Sequence, residues 1–180
     1  IVVAVDTPAV GADAVVMTDA VEAGEVACRY LFEQMGGEGN ILIVDGTPIQ
    51  AIIDRITGCE NVMEEFPGIE VVGHQASKND RATGLTVTTD MLTATPDVQG
   101  IFGMNDPSAL GAVLAVEQAG RADDIIVVGI DGSPEAVEEL NRDGSPFVAS
   151  ATQNPAEMVR QAVAVAQQIV EGNPPAEKTL

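Results

Sequence analysis

Short apolar runs alternate along the chain with stretches whose apolar residues recur every three to four positions. The runs predict strands over 1–5, 14–17, 41–44, 70–74, 100–103, 125–130 and 147–152. The periodic stretches predict helices over 20–35, 49–66, 82–93, 108–118, 134–142 and 155–171. Strict strand–helix alternation is the signature of an α/β fold: a doubly wound, mostly parallel sheet with helices on both faces and right-handed crossovers. The runs at Ile41 and Ile125 are apolar without alternation, as expected when both strand faces are covered, which makes them the central strands.

Local punctuation agrees with this pattern. Asp19 followed by Glu22 three residues on reads as a capping box, after which Val21, Gly24, Cys28, Leu31 and Met35 repeat at helical spacing until Gly36-Gly37 stops the helix. The segment "EGNPPAEKTL" from Glu171 is polar and broken by proline, so it reads as an exit segment.

The strand ends carry a second pattern. In "IFGMNDPSALGAVLAVEQAG" the strand gives way to Asn105-Asp106-Pro107, where Asp106 before proline reads as the helix N-cap and Asn105 is left uncommitted. In "IIVVGIDGSPEAVEEL" Ser133 before Pro134 reads as the cap and Asp131 is spare. In "FVASATQNPAEMVRQAV" Asn154 before Pro155 caps, leaving Gln153, and "IVVAVDTPAV" places Asp6 at another strand end. Ligands bind at the carboxyl ends of strands in open α/β sheets, so Asp6, Asn105, Asp131 and Gln153 form a candidate set for hydrogen-bonding a small polar ligand.

Composition narrows the partners. The 180 residues are 46% hydrophobic, which fits one well-packed core rather than disorder. The formal net charge of −20 opposes binding to nucleic acid through this segment, since phosphate backbones demand basic patches. It disfavours an anionic membrane surface for the same reason. No apolar run approaches the roughly 20 residues that span a bilayer. The chain opens at Ile1, inside a strand-like run and without an initiator methionine, and reads as a mature or excised segment.

Chemistry is mostly absent from the motifs. No Gly-x-Gly-x-x-Gly follows a strand, and neither a phosphate-binding Gly-x-x-x-x-Gly-Lys-Ser/Thr loop nor a Gly-x-Ser-x-Gly elbow is present. The glycines of "GGEGN" follow a helix and precede a strand, the wrong order for a phosphate cradle. His74, the one histidine, reads as a loop hydrogen-bonder, and pairs such as Glu64-Glu65 and Glu138-Glu139 fall on solvated helix faces. Cys28 and Cys59 lie on separate predicted helices without metal-ligand spacing; they read as buried thiols, with a disulfide as the alternative. These features imply no cofactor, no metal and no catalysis.

The segments "TPDVQGIFGMNDPSALGAVLAVEQAG", "DDIIVVGIDGSPEAVEEL" and "FVASATQNPAEMVRQAVAVAQQIVEGNPP" together resemble the second half of the periplasmic sugar-binding proteins of the ribose-binding type, the extracytoplasmic receptors of ABC sugar importers. Upstream, "VVAVDTPA", "TDAVEAGEVACRYLFEQM" and "DRITGCENVMEEFPGIEVVGHQASKNDRATGLTVTTDML" fit the same order, so the resemblance spans essentially the whole chain.

The resemblance implies one lobe of a two-lobed fold whose first lobe lies largely outside this chain. Residues 1–19 would hold the last strands of the first lobe and the first crossover, 20–153 the second lobe, and 154–180 a helix packing on the first lobe and the start of the return crossing at Lys178–Leu180. It implies sugar contacts at Asp6, Asn105, Asp131 and Gln153, with Asn79 where relatives commonly have an aromatic flanking the sugar. Thr7 and Ile53 stand where ribose-binding relatives have arginines, which argues against ribose itself. A sugar or polyol ligand, a membrane permease partner and a periplasmic or lipid-anchored extracytoplasmic location, with the signal sequence outside the chain, follow from the same resemblance. A rival within the same architecture is the effector domain of a lactose-repressor-type regulator, although "RADDIIVVGIDGS" lacks that family's usual flanks of this strand. The strand at 1–5 and the apolar face of Val159, Val163, Ala166 and Val170 would then lack their partner lobe, which predicts self-association.

Overall fold

The computed structural model describes residues 1–177 and 179; Lys178 and Leu180, at the expected return crossing, lie outside the described residues. The elements run β1 (Val3–Val5), β2 (Ala14–Val16), α1 (Ala20–Gln34), β3 (Glu38–Asp45), α2 (Gln50–Met63), β4 (Gly68–Ala76), α3 (Arg81–Ala94), β5 (Gly100–Gly103), α4 (Asp106–Gln118), β6 (Ile126–Asp131), α5 (Pro134–Leu140), β7 (Phe147–Thr152) and α6 (Pro155–Val170). The chain divides into two units, Ala20–Thr152 and Ile1–Asp19 with Gln153–Leu180.

The larger unit is a parallel sheet of order β4-β3-β5-β6-β7. Its middle strand is β5, a correction to the expectation that the runs at Ile41 and Ile125 are central; β3 and β6 flank it and are equally enclosed. Alternate side chains of β3 serve different faces: Ile41 and Ile43 pack with Leu31 and Phe32 of α1, whereas Leu42 and Val44 pack with Met91 of α3 and Val113 of α4. Leu31 and Phe32 are fully buried, each contributing roughly 1.5–3 kcal/mol by leaving water.

On one face, α1 and α2 approach until a Cβ added to Gly24 would stand 2.0 Å from the Arg55 carbonyl oxygen, and one added to Gly58 equally close to that of Val21. That proximity corrects the reading of free thiols. Cys28 and Cys59 form a disulfide with Cα atoms 5.2 Å apart, one turn beyond the contact of Gly24 with Arg55. The glycines permit a helix separation that linear spacing does not reveal.

The smaller unit pairs β1 with β2 in parallel, bridges Val15 to Thr179, and packs Met158, Ala162 and Val165 of α6 against Ala14 and Val16. Pro155 sits in the first turn of α6 behind Asn154, whose side chain accepts from the Glu157 N–H at 3.0 Å. The opposite side of α6 leaves an apolar groove of about 440 Å³ lined by Ile1, Val3, Val5, Val159, Val163 and Val170.

Candidate ligand site

The carboxyl edge of the five-stranded sheet collects polar groups from consecutive strand ends. Asn79 follows β4 and holds a positive φ of 64°. Its Oδ1 accepts from the Thr47 N–H after β3 at 2.7 Å, and its carbonyl accepts from Asn105 Nδ2 beyond β5 at 3.3 Å. Asp131 ends β6 with φ 135°. Among the described residues, Asn79, Asp131 and Asp6 (φ 68°) are the non-glycine residues with positive φ. A non-glycine residue is held there only when its surroundings over-determine it, and such positions concentrate at ligand sites.

Two assignments at the β5 end change places. Asn105, expected to be uncommitted, is the N-cap of α4 and accepts from the Ser108 N–H at 2.9 Å. Asp106, expected to be the cap, is a buried first-turn residue whose carboxylate accepts from the Ser133 N–H at 2.7 Å and from Ser150 Oγ at 2.6 Å. Either residue type can cap a helix. What decides is tertiary: the start of α5 and the strand β7 offer Asp106 two donors that sequence spacing cannot show. Burial pushes the Asp106 carboxyl above the usual range, against the hydrogen bonds from Ser150 and Ser133.

Asp131, expected to be spare, is ion-paired: Arg55 Nη2 lies 3.0 Å from its Oδ1, and the Asp106 N–H donates to its Oδ2 at 3.4 Å. The same guanidinium donates through Nη1 to the Met104 carbonyl at 2.8 Å. Both this pair and the capping leave Asn105 and Asp131 half-exposed at the sheet edge. Farther along that edge, His74 on β4 contacts Asp45 Oδ2 at 3.0 Å, side chain to side chain rather than from a loop.

Asn79, Asn105 and Asp131 are thus brought together within the larger unit. Asp6 and Gln153 belong to the smaller one, Asp6 exposed after β1 with its N–H donating to the Val16 carbonyl at 2.9 Å, and Gln153 half-buried immediately after β7. Sequence reasoning missed Arg55 and Asp106. The signal was weak in both cases: an arginine amid an otherwise apolar helix stripe, and an aspartate already explained by a cap. Among the described residues, no group of three or more His, Cys, Asp or Glu is placed to hold a metal ion, and no helix is long and apolar enough to cross a membrane.

A family model for the periplasmic binding protein domain matches residues 1–174. The chain belongs to that family. Relatives within the ribose-binding type include the ribose import binding protein of Salmonella typhimurium, 33% identical over 174 residues, covering 95% of this chain and 57% of the relative. That of Bacillus subtilis is 30% identical over 161 residues, covering 89% of this chain and 51% of the relative. Among solved structures, an ABC transporter periplasmic solute-binding protein of Actinobacillus succinogenes with bound D-allose superposes with a TM-score of 0.90 at 30% identity, covering 98% of this chain and 65% of that one. One from Bacillus halodurans with bound myo-inositol gives 0.89 at 30% identity, covering 99% and 63%. The chain spans about half the length of the curated relatives it matches. These family members are binding proteins by name.

Proposed function

We propose that this chain is part of an extracytoplasmic solute-binding protein of an ABC-type importer, a binder rather than an enzyme, whose ligand is a small neutral sugar or polyol. The observation that carries the reading is the placement of Asn79, Asn105 and Asp131 side by side at the carboxyl edge of the sheet, two of them held at positive φ. Asp131 accepts from ligand hydroxyls, Asn105 offers an amide that both donates and accepts, and Asn79 flanks them in place of an aromatic face. Asp6 and Gln153 supply the remaining contacts. Residues 20–153 make up the second lobe, 1–19 the end of the first lobe and a crossover, and 154–180 the helix that packs on the first lobe and the start of the return crossing. Lobe closure about the crossovers buries the ligand, and the closed form is what a membrane permease would recognise.

The location outside the cytoplasm draws support from Cys28–Cys59, since disulfides persist in oxidising compartments. A cytoplasmic regulator would not keep one, which weighs against the repressor-type rival. We also propose that the 180-residue chain by itself self-associates through the groove on α6.

The test is calorimetric titration of the natural-length protein with D-ribose, D-allose, xylitol and myo-inositol. At least one should bind, with D-ribose not the tightest. Asp131→Asn should weaken that ligand roughly 10- to 150-fold, the equivalent of one charge-assisted hydrogen bond of about 1.5–3 kcal/mol, and Asn105→Ala roughly 2- to 13-fold, the equivalent of a neutral one of about 0.5–1.5 kcal/mol. Unchanged affinity in both variants would remove these residues from the site.

A further inference from the structure

We infer that Arg55 is a positioning residue for the ligand site, presetting the Asp131 carboxylate and the β5 end together; this rests on the reading of Asp131 and Asn105 as ligand residues. Arg55 comes from the middle of α2, an element that contributes none of the proposed contacts. Its guanidinium is nonetheless buried at the sheet edge, where Nη1 donates to the Met104 carbonyl at 2.8 Å and Nη2 to Asp131 Oδ1 at 3.0 Å. Met104 immediately precedes Asn105, so one planar fork ties the two strand ends that present Asn105 and Asp131.

The arrangement is costly for the fold alone. A buried guanidinium gives up its hydration, and its Nε is left without a hydrogen-bond partner. Bonds to one carbonyl and one carboxylate recover only part of that loss, whereas a methionine of similar length would fill the space without it. What a methionine would not provide is orientation. Asp131 sits at φ 135°, where its side-chain direction is not set by ordinary strand geometry, and Arg55 engages one carboxylate oxygen. The other oxygen then meets the Asp106 N–H at the start of α4. A carboxylate held at both oxygens presents its remaining lone pairs in a fixed plane, so ligand binding does not have to order it.

Arg55 is itself held. Its carbonyl lies against Gly24 of α1, and Cys59, one turn further along α2, is joined to Cys28. The backbone that carries the fork is therefore pinned against α1, and the fork transmits that fixity to the strand ends.

The experiment has two readouts on the natural-length protein. Amide hydrogen exchange without ligand compares wild type with Arg55→Met and Arg55→Lys. The proposal expects exchange at the Asp106 amide to rise tenfold or more in Arg55→Met, with the Ile43 amide unchanged, because Asp131 loses the group that aims its Oδ2. General loosening of the core would raise both, and no rise at Asp106 would mean that Arg55 does not aim Asp131; either result overturns the proposal. Titration with the tightest of D-ribose, D-allose, xylitol and myo-inositol is then run on Arg55→Met, Asp131→Asn and the double variant. Arg55→Met should weaken binding tenfold or more alone, yet less than threefold further on Asp131→Asn, with Arg55→Lys intermediate because a single ammonium cannot span both acceptors. Losses that multiply in the double variant would overturn the positioning role. If Arg55→Met does not fold, Arg55→Lys carries both readouts with the same signs. Failure of all the sugars to bind wild type, with the Asp106 exchange result intact, would overturn the sugar reading and reduce Arg55 to a scaffold residue.

Discussion

Asp106 is a buried carboxylate with two well-formed hydrogen bonds, and those bonds do not fully offset its loss of hydration. Its folded pKa therefore stands above the unfolded value of about 3.8. The sign of the linkage follows. Below pH 3.8 the carboxyl is protonated in both states and its contribution to stability is fully present; as pH rises through the raised folded value the unfolded chain ionises more readily, and that contribution is lost. Asp106→Asn should thus gain on wild type in melting temperature between pH 3 and pH 7, with Ser150 Oγ turning to accept from the new amide. Melting curves of the two proteins across that range check it, and a difference that stays flat with pH would show that ionisation of Asp106 is not penalised. Asp106→Ala escapes the same ionisation but leaves the Ser133 N–H unpartnered, so it should be less stable than Asp106→Asn by about 1–3 kcal/mol at any pH. The sequence made Asn105 and Asp106 visible as a polar pair at a strand end but not their division of labour, because the donors that claim Asp106 arrive from 27 and 44 residues away.

Helices α1 and α2 show the same boundary at the level of elements. Their existence and ends were legible: α1 begins at Ala20 as expected and ends at Gln34, and α2 runs Gln50–Met63 inside the predicted 49–66. Their separation was not, because it depends on Gly24 facing the α2 backbone at Arg55 and Gly58 facing the α1 backbone at Val21, a coincidence of two helical phases. The disulfide that exploits this closeness joins residues 31 apart, and closing a loop of that size in the unfolded chain is worth about 3–4 kcal/mol in the chain-entropy account. Reduction, or the double variant Cys28→Ser with Cys59→Ser, should accordingly lower the melting temperature by roughly 6–16 °C for a chain of this size. Differential scanning calorimetry before and after reduction, with thiols counted to confirm that the bond is open, decides the matter; an unmoved transition would mean that the glycine contact alone holds the pair. The caps at Ser133 and Asn154 were read correctly because a proline directly follows each, whereas Asp80, which caps α3 through an equally local bond, is followed by Arg81 and was not singled out.

At the scale of the molecule two opposing terms meet. The alternation of runs and helices made the parallel sheet legible from sequence, since each βαβ unit is a local pattern repeated, but strand order beyond nearest neighbours is not, and so β5 rather than β3 or β6 took the centre. The surface carries a net charge of −20, which repels like chains, while the groove along α6 offers Val159, Val163 and Val170 at 53%, 65% and 72% exposure beside the strand β1. Apolar burial in a second copy is nearly insensitive to salt, whereas charge repulsion falls as the screening length shrinks from about 10 Å at 0.1 M to about 3 Å at 1 M. Association of the 180-residue chain should therefore strengthen with salt, the reverse of a complex held by ion pairs. Light scattering at micromolar concentration should find more dimer in 1 M than in 0.05 M sodium chloride. Val163→Glu should abolish that dimer, because it places a charge where the two grooves would meet. A monomer at every salt concentration would show that the groove is too shallow to hold a second copy; a dimer that dissolves in salt would assign the contact to charged groups elsewhere on the surface.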